Sequence, residues 1–373
     1  MDKLRVLFPM RSMFPRGAEK CSLYLLQALR GLPVTARCPV MRHSTVPSKD
    51  AYYLIRDFVR AAEISMKPAY DESSLSEANW RDFLKEELSL FQPDMVVFYG
   101  DSSVPEIFTD ERLVMVVHGL NENDFSCYRD NVSAVICVSQ AAVPCAMKYG
   151  VPEEKIVVIR NGVPLPSMGE TPFKIQFHPD CPVNGTIYEV SRETFCIPEN
   201  AWIWLFVGSQ TVEKGPQDVI AAMGRRNRKD EYLVLVGYPN PQHDMIQLSK
   251  EYGVWDRCIH TGVVSSMKPL YELADCLIVP SYQESLPMII LEAMASGVPT
   301  VAREVGGIPE ILDGKPYGIL YSGYPDLAMD TARAFFPEIE GLEKRMLWDW
   351  YDNWSADRMA SEYWDLFQKL LKN

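Results

Sequence analysis

Short apolar runs alternate along this chain with longer stretches in which apolar residues recur every three or four positions. Leu4 to Pro9 is such a run. Ala18 to Arg30 follows it with Cys21, Tyr24, Leu25, Ala28 and Leu29 on one helix face. Further strands are predicted at 34–38, 95–99, 113–117, 134–138 and 155–159, and helices at 50–66, 78–91 and 139–149, with 67–77 as a surface loop. Residues 163–200 interrupt the pattern, being rich in Pro and Gly and without periodicity, so a domain boundary is expected near 165–172. A second series opens with Ile203 to Val207. Strands alternating with helices at this spacing predict an α/β protein whose parallel sheets carry helices on both faces.

One stretch resists that simple reading. From Pro287 to Ser296 nearly every residue is apolar or small, which predicts a helix covered on most sides, yet Glu292 stands in its middle. A buried carboxylate must be paired, hydrogen-bonded or left facing a cleft. Glu284 precedes it by eight residues, in the turn after the buried strand Cys276 to Val279. The strand, turn and helix place Glu284 at the strand's carboxyl end and aim the helix's first N–H groups into the same crevice, with Pro287 suited to the first turn. Such a pocket accepts hydroxyl-rich and phosphate-bearing ligands. A capped helix with Glu292 in a structural salt bridge satisfies the same residues.

The segments LFVGSQTVEKG (205–215), LVLVG (233–237), HTGVVSS (260–266), LYELADCLIVPSYQESLPMIILEAMASGVPTVA (270–302) and VGGIPEIL (305–312) decide between them. In this order and spacing they resemble the donor-binding half of the family 4 retaining glycosyltransferases, and Glu284 and Glu292 fall at that family's E-x7-E spacing. The resemblance implies the GT-B fold: two doubly wound Rossmann-like domains facing a central cleft. It places an acceptor-binding domain at 1–170, completed by a C-terminal helix near 346–373 that crosses back, and a donor-binding domain at 171–345. Ser355 is read as the cap of that last helix, with Tyr363, Trp364 and Phe367 on its apolar side.

The resemblance also implies roles. Lys214 would meet the donor diphosphate, Glu284 the hydroxyls of the donor sugar, and Glu292 the ribose diol. Ser285, Leu286, Pro287, Met288, Ser209 and Gly307 would line the donor site. His118, after the strand at 113–117, would bind or polarise the acceptor hydroxyl or touch the transferred sugar. Gly17 resembles the small-residue loop on the acceptor side, where the flanking Arg11 and Arg16 are placed to hold a phosphate. Ser209 departs from the family, which usually carries arginine there; Arg303 is the candidate substitute. The donor would be a UDP- or GDP-sugar, the reaction retaining transfer to a hydroxyl, with no cofactor or metal required. A nucleotide-sugar 2-epimerase, a catalytically weakened nucleotide-sugar-binding protein and, last, a phosphorylase of similar fold remain as alternatives.

Composition adjusts this picture in a few places. The absence of G-x-G-x-x-G argues against a nicotinamide-binding domain, and nine scattered cysteines without C-x-x-C fit a reducing cytoplasm. No D-x-D and no apolar run of membrane-spanning length is present, and Arg5 and Arg11 interrupt the first residues, so neither a signal peptide nor a transmembrane span is expected. Residues 1–67 hold 12 Lys and Arg against 5 Asp and Glu on a chain of net charge −13. That asymmetry suggests an anionic acceptor: a lipid-linked glycan reached by peripheral contact with a membrane face or, ranked lower, a modified nucleic acid. A merely solvated basic face is the plainer reading.

Overall fold

The computed structural model describes residues 3–10, 17–40, 66–68, 77–165, 190–240, 242–264 and 266–372. The chain divides into two units, residues 1–164 with 353–373, and residues 165–352.

The first unit holds seven parallel strands: β1 (Leu4–Leu7), β2 (Val34–Val40), β3 (Met66–Pro68), β4 (Met95–Phe98), β5 (Arg112–Val117), β6 (Val132–Cys137) and β7 (Ile156–Val158), in the order β3-β2-β1-β4-β5-β6-β7. All four residues of β4 are buried, as is every residue of β5 after Arg112. Such strands are covered on both faces and therefore read as continuous apolar runs rather than alternating ones. Trp80, Phe83 and Leu84 of α2 (Glu77–Phe91) fill the core over β4 and β5. The order reverses between β1 and β4, the kind of position where open α/β sheets bind ligands.

Three sequence expectations are corrected here. β3 stands where the pattern predicts the end of the 50–66 helix and the start of the 67–77 loop; its three residues, one of them Pro68, make no apolar run, and only pairing with β2 defines them. The rest of the 50–66 helix lies outside the described residues. The 139–149 helix is a 3-10 turn, Gln140–Ala142, followed by a short helix, Val143–Lys148. Pro144 explains the break, because a residue without an N–H fits only a first helical turn.

The end of the chain comes back to its beginning. The C-terminal helix Ala356–Lys372 packs against α1 (Gly17–Leu29), burying Tyr363 and Phe367. Arg358 donates to the carbonyls of Arg160 and Asn161 at 2.7 and 3.0 Å, and the N–H of Val163 donates to the Trp354 carbonyl at 2.9 Å. Gly162 permits this approach: a Cβ there would lie 2.3 Å from the Ser355 carbonyl oxygen. Ser355 Oγ accepts from the Arg358 N–H at 3.3 Å, as an N-cap does. A separate helix, Leu342–Trp354, ends immediately before this cap.

The second unit holds six parallel strands, β8 (Trp202–Val207), β9 (Glu231–Val236), β10 (Cys258–Gly262), β11 (Cys276–Val279), β12 (Thr300–Arg303) and β13 (Gly318–Tyr321), ordered β10-β9-β8-β11-β12-β13. Its reversal falls between β8 and β11, so the loops leaving these two strands share one crevice. Trp204, Leu233, Ile278 and Val301 form the core with Val219, Ile220 and Met223 of α3 (Pro216–Arg226). Beside it, Arg226 bonds Glu231 through both terminal nitrogens at 2.5 and 2.7 Å, with Glu231 almost wholly buried.

Candidate functional site

The loop leaving β8 turns at once, and two glycines allow it to. Gly215 has φ +73°, and a Cβ at that position would lie 2.4 Å from the Pro280 carbonyl oxygen. At Gly237, after β9, a Cβ would meet the Gly208 carbonyl oxygen at 1.9 Å. The loop is thereby pressed against its neighbours: Gln210 N–H donates to Tyr238 O at 2.9 Å, and Tyr282 N–H donates to Glu213 O at 2.8 Å. Below it, Asp218 of α3 accepts from Tyr282 Oη at 2.8 Å and from Arg303 Nη2 at 2.5 Å.

The outcome is a short ion pair. Lys214 Nζ lies 2.6 Å from Glu284 Oε1, the lysine side chain 35% exposed and the glutamate 12%. Sequence reasoning gave these two residues separate tasks; the fold makes each the other's partner. A charge-assisted contact of this length is stronger than a neutral hydrogen bond, and its cation remains open to a ligand from solvent.

Helix α4 (Met288–Ala295) follows, with Pro287 in extended conformation as its cap. Ser285, Leu286 and Met288 are buried with it, and Glu292 is only 6% exposed. One partner that meets this burial is Tyr271, whose Oη lies 3.2 Å from Glu292 Oε2 and 3.4 Å from the Ile289 carbonyl oxygen. Sequence reasoning missed Tyr271; the available signal was a tyrosine on the apolar side of a short helix, since a buried phenol needs a polar partner. Gly307, the cap of α5 (Ile308–Leu312), donates its N–H to the Glu284 carbonyl at 3.4 Å. Lys214, Ser209, Glu284 to Met288, Glu292 and Gly307 all belong to the second unit.

Arg303 does not replace the missing arginine. Its guanidinium donates to Pro280 O at 3.1 Å, Gly323 O at 2.7 Å and Asp218, between the rings of Tyr282 and Tyr321. A buried cation bonded to three acceptors is not available to a diphosphate. Ser209 itself is partly exposed in the turn, its carbonyl accepting from Thr211 N–H at 2.8 Å.

The remaining candidates lie in the first unit. His118 stands at the end of β5, edge-on to Tyr99 with ring centroids 5.3 Å apart. Both line a cavity with Phe8, Met10, Cys21 and Tyr363 at the β1/β4 reversal. Burial pushes the imidazole down to about 4, so it is neutral at physiological pH. Burial and nearby Glu19 push the Tyr99 phenol up, and its hydroxyl is buried without a partner among the described residues. Gly17 begins α1 and is exposed; Arg11 and Arg16 lie outside the described residues. Part of the basic excess is spent internally, Arg5 pairing with Asp94 at 3.3 Å and Arg37 with Glu87 at 2.8 Å.

Residues 188–334 match the family model described as Glycosyl transferases group 1, a range that contains the loop after β8, α4 and α5. This segment is a group 1 glycosyl transferase domain. An uncharacterized glycosyltransferase of Methanocaldococcus jannaschii is 29% identical over 57% of this chain and 54% of the relative. A D-inositol 3-phosphate glycosyltransferase of Xylanimonas cellulosilytica is 30% identical over 48% and 42%. The matched region thus spans about half the length of these curated relatives. Among solved structures, Anabaena HepE in complex with UDP-glucose is similar over 98% of this chain and 100% of that one, with TM-score 0.77 and 16% identity. A glycosyltransferase from Rickettsia africae gives 0.77 at 18% identity, covering all of both chains. The glycosyl transferase domain thus sits within a two-domain, Rossmann-like GT-B fold. Among the described residues no helix is long and apolar enough to cross a membrane.

Proposed function

We propose that this chain transfers a glycosyl group from a nucleotide sugar to an acceptor hydroxyl with retention at the anomeric carbon. The observation that carries the reading is Lys214 beside Glu284 at the β8/β11 reversal, inside the segment that matches the glycosyl transferase family. The donor is proposed to be a UDP-sugar, because HepE, of the same fold, was solved with UDP and with UDP-glucose.

In this reading the departing group is a nucleoside diphosphate, whose growing negative charge needs fixed positive partners. Lys214 supplies an ammonium and the first N–H groups of α4 supply backbone donors. Glu292, held by Tyr271, accepts the ribose diol, and Glu284 accepts hydroxyls of the sugar. Neutral His118 accepts or donates a single hydrogen bond to an uncharged hydroxyl on the acceptor side. None of these groups has to act as general acid or base: stabilising the leaving group and positioning the acceptor are sufficient tasks.

A second reading is kept because Ser209 stands where the resembling family carries arginine: a protein that binds nucleotide sugars and turns them over weakly. One experiment separates them. UDP- and GDP-sugars are screened for thermal stabilisation of the full chain, and the stabilising donor is then incubated with candidate hydroxyl acceptors while the products are followed by NMR. A new α-linkage from an α-linked donor supports the transferase. Binding without turnover supports the second reading, and conversion of the donor to its 2-epimer without acceptor assigns an epimerase. Failure of every nucleotide sugar to stabilise the chain refutes all three.

A further inference from the structure

Lys214 and Glu284 have different partners on the donor in the proposed reaction, yet they hold each other at 2.6 Å. The ammonium has three N–H donors, one of them directed at Glu284, and a diphosphate that takes all three draws Nζ away from this carboxylate. Glu284 is 12% exposed, so water can replace only part of what it loses. The two possible occupants then treat it differently.

A nucleotide sugar brings hydroxyl groups, and these can donate to the carboxylate that the lysine has left. A free nucleoside diphosphate lacks the transferred sugar, and the only hydroxyls it brings are those of the ribose, which in this reading belong to Glu292. It also carries one more ionisable phosphate oxygen than the sugar ester, adding like-charge repulsion next to a carboxylate without a partner. Nor does the loop offer a spare cation. Ser209 occupies the arginine position of the resembling family, and Arg303 is bound to Pro280, Gly323 and Asp218.

Resting on the donor reading, we infer that Glu284 sets the site's preference for the nucleotide sugar over the nucleoside diphosphate that is the product. The carboxylate acts as a competitor for Lys214 that only a sugar-bearing ligand compensates. It thereby weakens retention of the spent product as well as holding the sugar.

The test is calorimetry of UDP and UDP-glucose on the full chain, wild type and Glu284→Gln, at fixed ionic strength. The amide keeps the side chain's shape and removes its charge. Glu284→Gln is expected to bind UDP about tenfold tighter and UDP-glucose no tighter than wild type, so the ratio of the two dissociation constants shrinks at least tenfold. A purely structural role would weaken both ligands together and leave the ratio unchanged; with wild type binding both, that result overturns the inference and leaves the donor reading standing. Wild type binding neither ligand overturns the inference together with the UDP-sugar reading. Should the glutamine variant not fold, Glu284→Asp retracts the carboxylate by one methylene and is expected to raise UDP affinity by a smaller factor, about threefold. No rise there overturns the inference equally.

Discussion

Tyr271 Oη lies 3.2 Å from Glu292 Oε2, joining the short helix before β11 to the middle of α4. The phenol is almost wholly buried and so is the carboxylate it meets. This contact makes an acidic residue tolerable on a helix whose other faces are packed, and it fixes one carboxylate oxygen in place. Replacement of Tyr271 by Phe keeps the ring and deletes the bond. Stability measured by urea unfolding should fall by about 1–3 kcal/mol, the usual penalty for leaving a buried polar group short of a partner. UDP-glucose affinity should fall with it, whereas an undisturbed affinity would separate Glu292 from the ligand.

Lys214→Met leaves a side chain of similar length without charge. Loss of a group that stabilises developing negative charge costs roughly 10²–10³ in kcat. The expected result is that kcat for the identified donor falls by this factor while the melting temperature moves by only a few degrees. A variant with wild-type turnover would assign the diphosphate to another cation.

Gly215 is constrained twice, by φ +73° and by the Pro280 carbonyl oxygen 2.4 Å from where a Cβ would stand. Gly215→Ala should destabilise the second unit by about 1–3 kcal/mol, the scale of a residue held in a sparsely populated backbone region. Because the loop carries Lys214, nucleotide affinity should drop more than stability does. Denaturant unfolding and calorimetry on the same preparation check both.

His118 predicts a pH signature. Its folded pKa, about 4, lies below the usual histidine value, so between about pH 6.5 and 4 the unfolded chain binds a proton that the folded chain refuses. Stability carried by this group is therefore unchanged above neutrality and lost as pH falls through that window, by up to about 3 kcal/mol. Subtracting the unfolding free energy of His118→Gln from that of wild type at pH 7 and at pH 4.5 should reveal the difference. An equal gap at the two pH values would place the imidazole in water.

Arg226 and Glu231 are nearly buried together, and Glu231 also lies 3.3 Å from Trp204 Nε1 and 3.1 Å from Arg333. Arg226→Met removes the principal cation and leaves the carboxylate enclosed. A loss of about 3–5 kcal/mol is expected for one partner of a buried pair. The double variant Arg226→Met with Glu231→Gln should recover part of it in the same unfolding assay.

Much of the fold was readable along the chain because it is local. Strands covered on both faces write themselves as uninterrupted apolar runs, so β4, β5, β8 and β11 could be read directly, while β3 could not, having no run of its own and only a neighbour to define it. Ser355 was recognisable as a cap and Pro287 as a helix start for the same reason: each acts on the few residues beside it.

By itself the sequence determined which groups had to find partners. It put a carboxylate at position 292 of an apolar helix, another at 284 in the turn before it, and an ammonium at 214 next to a glycine that can turn the chain. Which partners they found was decided by tertiary structure alone. Tyr271 is 21 positions from Glu292, Lys214 is 70 from Glu284, and Arg303 is 85 from Asp218. Such pairs meet only after the strand order brings the ends of β8, β11 and β12 side by side. A local pattern records whether a side chain is buried; the sheet chooses what it is buried against.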